Sequence, residues 1–106
     1  SARMNPTIIL GDFNSEWLAE ASGIKELVTK SRFVTYEAEG NNHNTYKNKR
    51  LDWILISKDM EFVSYQVLPD TLSDHAMVVA DIRFKQSKIY PYTLNGYDLV
   101  SIFYSD

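Results

Sequence analysis

The sequence predicts an α/β (α+β) chain, mostly antiparallel sheet with a helical segment after the first strand. Three observations carry that expectation. Short β-branched and apolar runs recur along the chain, one stretch alone spaces its apolar residues by three and four, and 106 residues suffice for about one hydrophobic core.

The elements follow in order. "TIIL", residues 7–10, is a continuous apolar run ended by Gly11, the pattern of a strand buried on both faces. Asp12 and Asn14 then fall just past its end. From Ser15, "SEWLAEASGIKELVTK" places Leu18, Ala21, Ile24, Leu27 and Val28 at helical spacing, with Asn14 or Ser15 as cap, while Gly23 argues for a break or two short helices. "RFVTYEA" (32–38) alternates Phe33, Thr35 and Glu37 against Val34, Tyr36 and Ala38 and reads as a strand before the polar loop "EGNNHN". "RLDWILIS" (50–57), "EFVSYQVL" (61–68) and "AMVVADIRF" (76–84) add three strands, separated by the turn-like "SKD" and "PDTLSD". Past Phe84 the character changes. Residues 85–106 carry four of the seven tyrosines and an Asn95-Gly96 pair between apolar and aromatic residues, a strong hairpin signal whose first arm Pro91 confines to an edge. A hairpin and an unstructured tail are the two readings of this segment; the domain proper spans residues 6–84.

Composition narrows the function. A net charge of −3 leaves no broad polybasic surface, so a grip on nucleic acid or anionic lipid would have to come from a local patch, and "YKNKR" (46–50) is one. The chain has no cysteine, which excludes disulfides, zinc–thiolate centres and thiol nucleophiles and leaves the redox compartment undetermined. No run approaches the roughly 18 apolar residues of a membrane span, and "SARMNPTIIL" lacks the apolar core of a signal peptide; a cytoplasmic location is the expectation. The first Met is residue 4, so a longer natural protein is also expected.

Three separated segments call for one explanation: "GDFN" (11–14), "KRLDWILIS" (49–57) and "SDH" (73–75). Each falls at an expected strand end or start. Asp12 and Asn14, two apart in a locally extended backbone, would point the same way, one an anion and one an amide able to donate to a phosphate oxygen. A histidine facing a phosphate gains from being imidazolium, and a carboxylate on its other nitrogen favours that form and fixes the ring. Hard carboxylate oxygens without cysteine favour Mg²⁺ or Mn²⁺ over zinc.

In their order and relation these segments resemble the endonuclease/exonuclease/phosphatase superfamily, the fold of deoxyribonuclease I and the abasic-site endonucleases, and the chain looks like its C-terminal half. The resemblance implies half of a four-layer αββα sandwich and a divalent-metal-dependent phosphoesterase of the phosphodiesterase or nuclease kind. By position it implies that Asp12 contacts the attacking water as base or orienter, Asn14 binds phosphate, Asp74 lies near the metal, His75 binds the scissile phosphate and Asp52 pairs with His75. Thr45, Lys47 and Arg50 are candidates for substrate contact. His43 reads as loop and Trp53 as core. The superfamily's principal metal-binding Glu lies in the N-terminal half, and Glu16, Glu20 and Glu26 sit in the helical segment rather than at a strand end. The implied partners are a phosphate-ester substrate, nucleic acid among the candidates, and the missing half or a second copy to cover an open sheet face. The alternative is a non-catalytic half-domain serving as an interaction or assembly module.

Overall fold

A computed structural model describes residues 6–39, 43–69, 72, 74–85 and 99–105. Its centre is one strand. "DWILIS" forms β3 (Asp52–Ser57), in which every residue is buried, because strands flank it on both edges and packing covers both faces. β1 (Ile8–Asp12) and β2 (Phe33–Thr35) pair with it antiparallel, in the order β1-β3-β2. A second antiparallel sheet, in the order β4-β5-β6, joins β4 (Met60–Leu68), β5 (Met77–Phe84) and β6 (Val100–Tyr104).

Strand alternation sorts the side chains of β3 into two cores. Ile54 and Ile56 pack with Met60, Tyr65, Val78, Ala80 and Ile82 of the second sheet. Trp53 and Leu55 face the other way, onto Ile24 of the helix, with Phe13, Trp17, Val28 and Phe33 around them. The layers are therefore helix, first sheet and second sheet, a mixed α/β arrangement consistent with a fragment of an α+β sandwich. The inner face of the first sheet is closed by the chain's own β4 and β5 rather than left open for a partner.

Exposed apolar surface lies elsewhere. "TIIL" forms a strand but is not buried on both faces: Ile9 and Leu10 are exposed, and among the described residues β1 pairs with β3 on one edge only. Val63, at an irregularity in the β4–β5 register, and Phe103 of β6 are also exposed on the second sheet.

The helix is shorter than its periodicity suggested. α1 spans Gly23–Lys30, and its cap is Ser22, whose side chain accepts from the Lys25 N–H at 3.1 Å. Ala21 holds the left-handed φ of 57°, which a helix cannot propagate, so the break expected at Gly23 is the helix start. Ser15, expected as a cap, uses its Oγ to accept the Ile24 N–H at 3.1 Å. In the tail, the Asn95-Gly96 turn and Pro91 lie outside the described residues, and residues beyond them form β6 on the free edge of β5.

Asp81 ties the second sheet together across its strands. Its carboxylate accepts from Ser101 Oγ of β6 at 2.7 Å and Ser64 Oγ of β4 at 2.9 Å, and these bonds hold it below the ordinary carboxylate range. A carboxylate whose pKa is depressed by folding contributes stability above its unfolded value, near 3.8, and loses it as pH falls through the lower folded value. Amide exchange in β6, corrected for intrinsic rates, should therefore speed up relative to β3 as pH drops below 3.8. Ser101→Ala should remove much of that pH dependence.

Candidate active site

The register of β1 on β3 places two carboxylates opposite each other. Asp12, last in β1, pairs with Asp52, first in β3. Like charges directly across an antiparallel pair repel, and His75 lies against both. Its Nδ1 is 2.5 Å from Asp52 Oδ2 and its Nε2 is 3.8 Å from Asp12 Oδ2. A carboxylate can only accept, so the Nδ1–H donates to Asp52 and Nε2 faces toward Asp12. Asp52 is fully buried, Asp12 is exposed and His75 is half-buried, so the pair is anchored inside and presented outside. Asp52 Oδ1 is buried and has no hydrogen-bond partner among the described residues.

Thr45 holds the two ends of this pair in place. Its Oγ1 accepts from the N–H groups of Leu51 and Asp52, both at 3.1 Å, at the head of β3. Its carbonyl accepts the Ala76 N–H at 2.7 Å, next to His75. One buried threonine thus sets where the carboxylate starts and where the imidazole enters. Thr45, expected as a candidate for substrate contact, is 2% exposed and lines the cleft beside His75.

The other candidates divide. Asn14 is exposed but not in extended backbone: its φ is 48°, and its N–H donates to Asp12 Oδ1 at 2.7 Å. The argument that Asp12 and Asn14 point the same way from a strand therefore does not hold, because the chain turns between them, and Asn14 lines a concavity with Tyr46 and Lys49. Asp74 and His75 stand in a bend before β5 rather than inside a strand; exposed Asp74 lines a cleft of about 250 Å³ with His75, Thr45 and Lys47. The exposed Lys47 has its Nζ 5.3 Å from the Tyr46 ring centre. Arg50 is 4% exposed and donates to the carbonyls of Tyr36 and Glu37 at 2.9 Å and to the Tyr65 hydroxyl at 3.3 Å. Burial lowers the Arg50 pKa and raises that of Tyr65 from their usual values. His43, read as loop, is half-buried, bonds Glu37 Oε1 at 3.0 Å and meets the rings of Tyr36 and Tyr65 edge-on. Trp53 is buried, its Nε1 donating to the Ser15 carbonyl at 2.8 Å.

Tyr46 is the neighbour that sequence reasoning passed over. Its ring centre lies 4.9 Å from that of His75, walling the imidazole on one side. The available signal was an aromatic residue inside the basic "YKNKR" run.

As for a metal, Asp12, Asp52 and His75 bring one ligand atom each within 4.8 Å of one another. The donor set fits a hard ion in kind but not in number. Asp52 Oδ2 and His75 Nδ1 are committed to each other, and of the three residues Asp12 alone presents an exposed carboxylate.

The fold is a mixed α/β layer arrangement, and at the ends of its strands it presents a buried Asp–His pair with a second carboxylate across from it. The family model described as Endonuclease/Exonuclease/phosphatase family matches residues 1–75, and the chain belongs to that family, one of phosphoesterase and nuclease-type hydrolases that are typically divalent-metal dependent. No curated protein and no solved structure matches the chain.

Thr45→Val would leave two buried N–H groups without an acceptor, and a loss of about 1–3 kcal/mol in denaturant unfolding is expected. The His75 Nδ1–H resonance should shift or broaden in the same variant. Thr45→Ser, which keeps the oxygen, should preserve both.

Proposed function

We propose that the chain supplies one half of the active site of a divalent-metal-dependent phosphoesterase that cleaves phosphodiesters. The observation that carries this reading is the His75 Nδ1 to Asp52 Oδ2 contact of 2.5 Å with Asp12 on the far side of the same imidazole. The family match supports the hydrolytic class.

Each residue then has a task its position allows. Asp12, exposed and opposite Nε2, takes or orients the proton of the attacking water. As the water oxygen bonds to phosphorus, the bond to the leaving oxygen breaks in line, and negative charge grows on the remaining oxygens. His75, kept in one orientation by Asp52, donates to that charge through Nε2–H; the Asn14 amide donates from the neighbouring concavity. Such preorganised donors stabilise the transition state without reorganising at the moment of reaction. Asp12 and Asp74 would hold Mg²⁺ or Mn²⁺ together with ligands from the other half, and the ion would supply charge neutralisation on the phosphate. Lys47, at the rim of the same cleft, would attract the ester by charge.

A second reading, an assembly module without turnover, draws on the exposed Ile9, Leu10, Val63 and Phe103. The two are separated by activity of the intact protein.

In the full protein, Asp52→Asn should lower phosphodiesterase kcat/KM on the order of 10²-fold while circular dichroism stays near that of the wild type. A neutral amide removes the anion that holds the imidazolium. Wild-type turnover on a fluorogenic phosphodiester should require Mg²⁺ or Mn²⁺ and stop with chelator; equal rates in both would sink the metal-dependent reading. Residues 1–106 alone should be inactive and regain turnover when the complementary half is supplied, because the charge neutralisation and the substrate positioning are incomplete without it.

A further inference from the structure

His75 stands in a bend before β5 rather than in the strand, and its ring meets Asp52 through Nδ1. A hydrogen bond to one carboxylate oxygen fixes the position of that nitrogen but leaves the plane of the ring able to tilt about the bond, and the donor at Nε2 swings with the plane. Tyr46 supplies a contact that opposes such a tilt. Its ring centre lies 4.9 Å from that of His75, with the two planes 40° apart. Tyr46 is itself held in place: it and Lys49 exchange backbone hydrogen bonds of 3.0 and 2.9 Å, closing a tight turn in which Lys47 takes the left-handed φ of 52°. A lysine in that conformation is costly and persists where its surroundings over-determine it. Thr45 donates its N–H to the same Lys49 carbonyl at 2.9 Å and accepts the Ala76 N–H at 2.7 Å. The turn that carries the tyrosine ring is therefore tied by backbone bonds to the residue that follows His75.

Position separates bracing from substrate contact. Tyr46 lines the concavity shared with Asn14 and Lys49, whereas the cleft of His75 and Asp74 is lined by Thr45 and Lys47, the residues on either side of it. An aromatic ring suits a brace, because it is large, has only two side-chain torsions to immobilise and takes up none of the hydrogen-bonding groups of the imidazole. We infer that Tyr46 is a positioning residue, whose ring braces the His75 imidazole so that Nε2 keeps its aim at the phosphate while Asp52 holds Nδ1. This rests on the phosphoesterase reading above and adds a residue to its machinery. The contact is one of ring against ring, so phenylalanine should serve in its place and alanine should not. The Lys47 ammonium lies 5.3 Å from the centre of the same tyrosine ring, and its own contribution has to be measured apart.

The test uses the full protein at one fixed pH and has two arms. In the first, the imidazole resonances of His75, identified by their loss in His75→Asn, are followed in Tyr46→Ala, Tyr46→Phe and Lys47→Ala. Tyr46→Ala should move them, through the lost ring current, and speed solvent exchange of the Nδ1–H about 5-fold; Tyr46→Phe and Lys47→Ala should leave both near the wild type. In the second arm, Tyr46→Ala should lower kcat on a fluorogenic phosphodiester about 10-fold with KM within about 2-fold, and Tyr46→Phe should restore kcat to within about 2-fold of the wild type. Circular dichroism should show Tyr46→Ala folded, and Tyr46→Leu takes its place if it is not. Unchanged His75 resonances and exchange in Tyr46→Ala would overturn the brace and leave the phosphoesterase reading standing. A raised KM at unchanged kcat would overturn it in favour of a direct substrate contact, and failure of Tyr46→Phe to restore kcat would move the role to the hydroxyl. A wild-type protein that hydrolyses no phosphate ester, with His75 responding as expected, would bring down the phosphoesterase reading and with it the catalytic consequence of the contact.

Discussion

A carboxylate with no solvent exposure, at the first position of the central strand, is the constraint around which the molecule is arranged. Removing an ion from water costs several kcal/mol even after relaxation, and Asp52 offsets that cost with one short contact to His75 rather than with a cage of donors. The contact demands that residues 23 positions apart meet within a fraction of an ångström. The chain meets this demand with backbone bonds: β1 fixes β3 from one edge, and Thr45 binds the head of β3 and the entry to β5 at once. Asp52 Oδ1 has no partner among the described residues, so the contact through Oδ2 is the one that fixes the carboxylate there.

The second buried charge, Arg50, sits two residues away and is handled differently. Its guanidinium ends on backbone carbonyls and lies between the rings of Trp53 and Tyr65. The stacked Tyr36 and Tyr65, 4.8 Å apart and nearly parallel, complete a polar-edged aromatic cluster that braces the loop before β3. Desolvation pushes Arg50 down and Tyr65 up, while each opposes the shift of the other. An arginine that from the sequence looks like a substrate clamp thus anchors the strand from which Asp52 projects.

Much of this was legible from the sequence. Runs such as "DWILIS" and "MVVADIRF" are short, apolar and rich in β-branched residues, which favours strands over helices, and both form strands. The pairing of Asp52 with His75 was legible through the family resemblance, and the chemistry agrees with it, because a histidine meant to carry charge needs a carboxylate on one nitrogen. The helix boundary was less legible. Periodicity marks which residues can share a face, but the left-handed backbone at Ala21 and the Ser22 cap decide where hydrogen bonding starts.

The sequence by itself determined the strand candidates, the order of the three motifs and the absence of thiol chemistry, since each depends on residue type and local spacing. Only the tertiary structure decided that Asp12 stands across from Asp52, that Thr45 is a buried tie between the head of β3 and the entry to β5, and that Asn14 turns away from the line of β1. These are matters of register, burial and backbone conformation. A register is the outcome of many weak contacts summed along two strands distant in sequence, so no single residue encodes it.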